Sequence, residues 1–226
     1  CSGASPHRLV HGGRKKAQER LDSLPVSVSD YEATRNDLSD ETTQLSAYIK
    51  YGCISVREAY YAFQAKLDKK AAESLNRQLF WRDFYAQVLF HNPASLTESM
   101  KPAYRTIKWP ADTQGLLRAW KKGMTGFPIV DAGMREMAAT GYMHNRARLI
   151  TASFLPKTLL VNWQDGELHF ARTLTDYDPA SNNGNWQWVA GTGTDSQPYF
   201  RVLNPFLQSA KYDKDALYIK KWIPEL

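Results

Sequence analysis

The sequence predicts a mainly α-helical protein, and three observations carry that expectation. Helix-capping signals recur from about residue 42 onward. Between them, apolar residues fall at three- and four-residue spacing. No stretch shows the sustained apolar–polar alternation of a strand pair.

Taken in order, residues 1–30 are rich in Ser, Gly, Pro and charge and read as a lead-in segment, not a core element. Within them, GGRKKAQERL predicts a short basic helix after Gly12 and Gly13. TTQLSAYIKYG, residues 42–52, opens a helix with hydroxyls at Thr42, Thr43 and Ser46. SVREAYYAFQAKL starts at Ser55 and carries Glu58 three residues later, a capping box. AAESLNRQLFWRDFYAQVLF sets Leu75, Leu79, Trp81, Phe84, Tyr85, Val88 and Leu89 at mostly helical spacing, and Pro93 stops it. In FPIVDAGMREMAATG, Pro128 suits a first turn and Gly141 a C-terminal cap. NRARLITASFLPKTLLVNW reads as one long helix bent near Pro156. DGELHFARTL and KDALYIKKWIPEL complete the set. The stretches near 92–112 and 175–212 are expected to be long irregular loops, which in a compact domain usually carry function.

Composition narrows the partners. The 226 residues carry a formal charge of +6, which suits a polyanion, nucleic acid before an acidic membrane surface; a solvated basic surface accounts for it equally well. At 43% hydrophobic and 23% charged residues the chain is globular, not disordered. No apolar run approaches the roughly 18 residues of a membrane span. Seven Trp and twelve Tyr offer flat faces for bases or a planar cofactor. Cys1 and Cys53 are too few for a cysteine zinc site, and such sparse usage predicts a reducing compartment, the cytoplasm or a nucleus. No apolar signal core follows Cys1, so no secretory peptide is expected; the missing initiator Met suggests processing or a fragment.

Four motifs carry chemistry. In TDYDPASNNGNWQWVAGTGTD, Asp176, Asp178 and Asn182 could ligate a hard cation, but the glycine and final glutamate of a calcium loop are lacking. The same residues could build turns, or present acceptors and donors to a heterocycle whose faces Trp would cover. In MHNRARL, Arg146 and Arg148 open an apolar helix where the dipole is already positive, so one of them should pair with a carboxylate or phosphate; two solvated arginines are the bland alternative. The hydroxyls of Thr42, Thr43 and Ser46 could seat a phosphate or simply cap. FWRDF, taken alone, reads as core packing plus one salt bridge. The histidines show no metal spacing, and neither a Ser–His–Asp set nor a Gly-rich phosphate loop is found.

Together these motifs resemble the photolyase/cryptochrome family, most closely class I cyclobutane pyrimidine dimer photolyases. The resemblance runs from Tyr31 to Leu226 and is strongest in TGYMHNRARLITASFL, DYDPASNNGNWQWVAGTGTD and PYFRVLNP. It implies a helical domain over 31–226 that holds FAD. Tyr31, Thr42, Thr43, Gln44, Leu45 and Ser46 would hold the cofactor near its pyrophosphate, Gln44 standing where relatives often have Arg. Asn145, Arg148, Asp176 and Asp178 would line the flavin, with Arg148 paired to Asp176 and Asn182 facing flavin N5. Trp186, Trp163 and Trp109 would form an electron chain from cleft to surface. Trp81 and Trp188 would flank a flipped lesion, and Arg35, Arg146, Arg201 and Gln208 would contact DNA. The implied activity is light-driven splitting of pyrimidine dimers in damaged DNA, by a monomer without a membrane anchor. A cryptochrome-like photoreceptor and a six-four photolyase are the alternatives.

The chain departs from the family pattern at three points. Gln78 replaces the glutamate usual against the lesion, which leaves lesion type open; Leu149 replaces a methionine. The family's N-terminal α/β antenna domain and the stretch after WIPEL are expected to be missing.

Overall fold

The computed structural model describes residues 10–24, 28, 30–40, 42–195 and 201–226. Among them, α-helices follow one another without a strand: α1 Arg14–Asp22, α2 Tyr31–Thr34, α3 Ser46–Lys50, α4 Val56–Lys66, α5 Lys69–His91, α6 Gln114–Lys122, α7 Pro128–Thr140, α8 Asn145–Lys157, α9 Trp163–Thr173, α10 Pro179–Ala190, α11 Pro205–Tyr212 and α12 Leu217–Trp222. None of the described helices is long and apolar enough to cross a membrane.

Local chemistry starts and stops most of these helices. Ser55 Oγ accepts from Glu58 N, and Glu58 Oε2 accepts from Ser55 N, closing the capping box on α4. Pro128 occupies the first turn of α7, and Gly141 ends it in the left-handed region at φ 71. Residues 92–112 hold only two short 3-10 segments, Pro93–Leu96 and Pro102–Tyr104, so this expected loop stands.

Four expectations need correction. The first concerns 175–212, which is not one loop but contains α10 and α11. The α10 sequence PASNNGNWQWVA is poor in helix formers, and single Gly or Asn residues cost up to about 1 kcal/mol each relative to Ala. Tertiary packing overrides this. A Cβ on Gly184 would lie 2.2 Å from the Tyr85 ring, so only glycine lets α10 close on α5. Gln187, 2% exposed, donates to Ser95 O, Glu98 O and Asn183 Oδ1 and accepts from Met100 N and Thr192 Oγ1. One amide thereby fastens the 93–100 loop to α10 through bonds made away from bulk water, where an orphaned partner is costly.

Second, residues 145–163 are not one bent helix. Pro156 falls in the last turn of α8, and the helical bonding runs past it to Thr158 N, which donates to Phe154 O. Leu160 turns at φ 56, and Asn162 Oδ1 caps the new helix α9 by accepting from Gln164 N at 3.1 Å. Third, the lead-in is not outside the core: α1 buries Ala17 and Leu21 beside Leu45, Ile54, Phe63, Leu75 and Leu79. Fourth, FWRDF does not pack into the core. Phe80, Trp81 and Phe84 are 60%, 54% and 42% exposed, because α5 buries the face of Leu75, Leu79 and Tyr85 instead. Cys1 and His7, and Pro198–Phe200 of the PYFRVLNP motif, lie outside the described residues.

The larger core joins α6 through α10 with α12 around Trp120, Met134, Ile150, Phe154, Phe170 and Trp186. It forms the floor beneath the site.

Candidate functional site

Arg148 solves the problem of a cation at a helix start. Its Nη2 donates to Asp176 Oδ2 and Oδ1 at 2.9 and 3.1 Å, and its Nε donates to Met143 O at 2.8 Å. The guanidinium also lies 5.3 Å from the Tyr142 ring centroid. Ser46 Oγ donates to Asp176 Oδ2 at 2.7 Å, so its hydroxyl serves the site and does not cap α3. Burial pushes the Asp176 carboxyl up, but Arg148 and then Ser46 outweigh it and hold its pKa below the ordinary value. A carboxylate offers about four acceptor positions, so Asp176 keeps an acceptor for a ligand after these three bonds.

The next acid has a different task. Asp178 caps α10 by accepting from Ser181 N at 2.9 Å, and Lys50 Nζ approaches its other oxygen at 4.0 Å. Four residues on, Asn182 Nδ2 donates to Glu167 Oε1 at 2.8 Å and to Glu167 O at 3.3 Å. Burial raises the Glu167 pKa, and the Asn182 amide partly offsets it. With its NH2 group engaged, Asn182 has its carbonyl oxygen left as an acceptor.

These groups converge on one cleft of about 110 Å³ that opens to solvent. Its walls include Asn145, Arg148, Leu149, Asp176, Asp178, Asn182 and Trp186, seven of the residues singled out in the sequence. Phe170, Tyr177, Ser181 and Asn185 line it too and were missed. Asn185 is one turn beyond Asn182, a signal that appears once 179–190 is known to be helical. Polar atoms therefore border a cleft with aromatic and aliphatic sides, the donor and acceptor set that the edge of a flat heterocycle requires, so the residues fit a flavin.

The 42–46 segment stands behind this cleft and is tied to it. Thr42 Oγ1 bonds to the Tyr142 hydroxyl at 3.0 Å, and Arg20 donates to the carbonyls of Thr42 and Thr43. Gln44 takes a left-handed turn at φ 53, and the Leu45 side chain is buried in the smaller core. Tyr31 is half-buried, with Tyr142 and Arg35 close enough to influence its phenol.

Trp186 is 2% exposed and lies against Gly166, three residues along α9 from Trp163. Trp163 is buried in the core and Trp109 is half-buried against it, so the three share one cluster. Nothing in the sequence pointed to Trp120, which meets Trp186 edge-on at 6.1 Å and stacks on Phe170 at 5.9 Å.

Outside the cleft lining, Trp81 is exposed and lies 5.3 Å from Phe84 and 6.2 Å from Tyr85, while Trp188 is half-buried. Gln78 Nε2 donates back to Ser74 O at 3.3 Å. Arg146 reaches Asn36 Oδ1 and stacks 4.3 Å over Tyr212, with Arg35 close enough to oppose its charge. The Arg201 guanidinium stacks on Trp188, and Gln208 Oε1 is buried without a partner among the described residues.

A helical domain built around a polar-edged aromatic cleft is a cofactor-binding domain. Residues 74–226 match the family described as the FAD binding domain of DNA photolyase, and the chain belongs to that family. It is 48% identical over 217 residues to a deoxyribodipyrimidine photo-lyase of Alkalihalophilus pseudofirmus, covering 95% of this chain and 45% of that protein. Its fold superposes on a class III photolyase from Agrobacterium tumefaciens with a TM-score of 0.91 at 38% identity, covering 96% of this chain and 46% of that one. A Synechocystis cryptochrome gives 0.90 at 34% identity, covering 98% and 47%. The chain thus spans about half the length of the curated relatives it matches.

Proposed function

We propose that this chain is the FAD- and lesion-binding part of a light-driven DNA lyase acting on cyclobutane pyrimidine dimers. The observation that carries the reading is the cleft itself, in which Arg148–Asp176–Ser46 and Asn182–Glu167 fix polar atoms beside the buried Trp186. Photolyase relatives similar over nearly the whole chain support it.

In this reading FAD, when bound and reduced, supplies a photoexcited electron donor for the lesion. The chain supplies position. Arg148 and Asp176 orient the ring edge as a prepaired unit, and Asn182 offers an oriented acceptor. Leu149 forms apolar wall, and Trp186 lines the cleft while belonging to the same cluster as Trp163 and the half-buried Trp109. Arg35 and Arg146 sit together where they can hold phosphates, and that attraction weakens with salt. Trp81 and Trp188 offer faces to an extruded dimer of two adjacent bases of one strand, whose extrusion costs a few kcal/mol and least at damaged, poorly stacked sites.

Illumination of the reduced, flavin-loaded protein with a dimer-containing oligonucleotide tests this. Recovery of the thymine absorbance band is the expected result. A colourless native protein that takes up no added flavin overturns the proposal. The second reading is a photoreceptor that does not repair, favoured by the cryptochrome likeness and by Gln78, which cannot supply a proton or a charge. It predicts flavin photoreduction without dimer splitting; Gln78 also leaves six-four photoproducts as a substrate to include in the same assay.

A further inference from the structure

Asp195 accepts two hydrogen bonds from Arg201 Nη2, at 2.9 Å on Oδ1 and 2.8 Å on Oδ2. This holds the guanidinium over the Trp188 ring, 4.8 Å from its centroid. The Asp195 side chain is 11% exposed and that of Arg201 34%, so the pair is screened much less than a surface ion pair. Lys157 Nζ donates to the backbone carbonyl of Arg201 from below. On its other side Asp195 is close to Tyr85, whose phenol burial and the Asp195 charge push up to about 12. Tyr85 in turn lies 6.2 Å from Trp81.

A guanidinium paired to a sheltered carboxylate adds little net attraction for phosphate. Held over an indole face, it makes a cationic wall. We propose that Asp195 is a positioning residue: it holds Arg201 against Trp188 as a wall of the lesion pocket and withholds the Arg201 charge from DNA phosphates. One Trp188 face is thereby covered, and a base stacks on the other. The nature of the ligand rests on the lesion-binding reading above; the masking of Arg201 does not.

The test is fluorescence anisotropy on the full 226-residue chain, using one duplex with and without a single pyrimidine dimer, over a salt series. Asp195→Asn keeps the shape and removes the charge. The slope of log affinity against log salt on undamaged duplex then steepens by about 0.9, so the loss between about 50 and 200 mM salt grows roughly 3.5-fold. The damaged-to-undamaged affinity ratio falls, and Asp195→Glu restores both. Arg201→Ala leaves the undamaged-duplex slope where the parent has it and weakens binding of the damaged duplex. An unchanged slope in Asp195→Asn, or a slope flatter by about 0.9 in Arg201→Ala, overturns the proposal. Should Asp195→Asn fail to fold by near-ultraviolet circular dichroism, the Arg201→Ala slope alone decides. A parent that does not prefer the damaged duplex sinks the lesion reading, while the slopes still decide whether Asp195 masks Arg201.

Discussion

Gly166 is where one methyl group should move Trp186. A Cβ added there would lie 2.3 Å from Trp186 Cη2, 2.7 Å from Trp186 Cζ3 and 2.5 Å from Leu155 Cδ2. Relief of the closest contact to an ordinary separation requires the indole to move by roughly 1 Å, since optimal carbon–carbon contacts begin near 3.5 Å. Leu155 can rotate away. The indole cannot retreat into the core, where Phe170 stands edge-on at 5.0 Å and Trp120 at 6.1 Å. Its free direction is the cleft that it already lines. Overpacking of this kind costs about 1–3 kcal/mol, while Gly→Ala inside a helix recovers about 1 kcal/mol. The net loss is then about 0–2 kcal/mol, a fall in Tm of up to about 8 °C for a chain of this size. Flavin retention should fall more than stability does, because the indole narrows the cleft. Differential scanning calorimetry and the flavin-to-protein absorbance ratio after gel filtration measure the two effects. A Gly166→Ala protein with a raised Tm and full flavin retention would refute the packing argument.

Three further outcomes follow from the same geometry. Asp176→Asn leaves the half-buried Arg148 facing no charge and should cost about 1.5–3 kcal/mol near neutral pH, the worth of a charged hydrogen bond. Because the Asp176 pKa is lowered in the fold, its contribution is present above the ordinary carboxylate value of about 3.9 and lost as pH falls through the folded value; urea titrations of parent and variant should converge in acid. His144 is 4% exposed, and burial, then Arg148 and Arg146, depress its pKa to about 4. The unfolded chain therefore binds the extra proton first, and parent stability should decline by up to ~3 kcal/mol as pH falls from about 6.5 to about 4. His144→Asn keeps an acceptor for Arg146 N and should reduce that decline in the same titration, leaving the share of His169, whose pKa burial also depresses to about 4. Trp186→Phe should abolish most photoreduction of oxidised flavin yet spare dimer splitting by chemically reduced protein; an equal loss of both in steady illumination counts against Trp186 as the innermost electron donor.

Local sequence determined where several helices begin and end, because the deciding contacts lie within one turn. Ser55 needs only Glu58, and Gly141 needs only its own missing Cβ. The discomfort of Arg148 at a helix start was legible for the same reason, whereas its partner Asp176, 28 residues away, came only from the family resemblance and not from the local stretch. Tertiary structure alone decided that SNNGN would be helical, through Tyr85 against Gly184 and the Gln187 amide across to residues 95–100. It also decided that α1 joins the core, that Trp81 faces outward, and that Arg201 turns onto Trp188. Helix caps are set by neighbours in the chain and can be read from it. Burial and pairing are set by which distant segments compete for the same space, and no short stretch contains that competition.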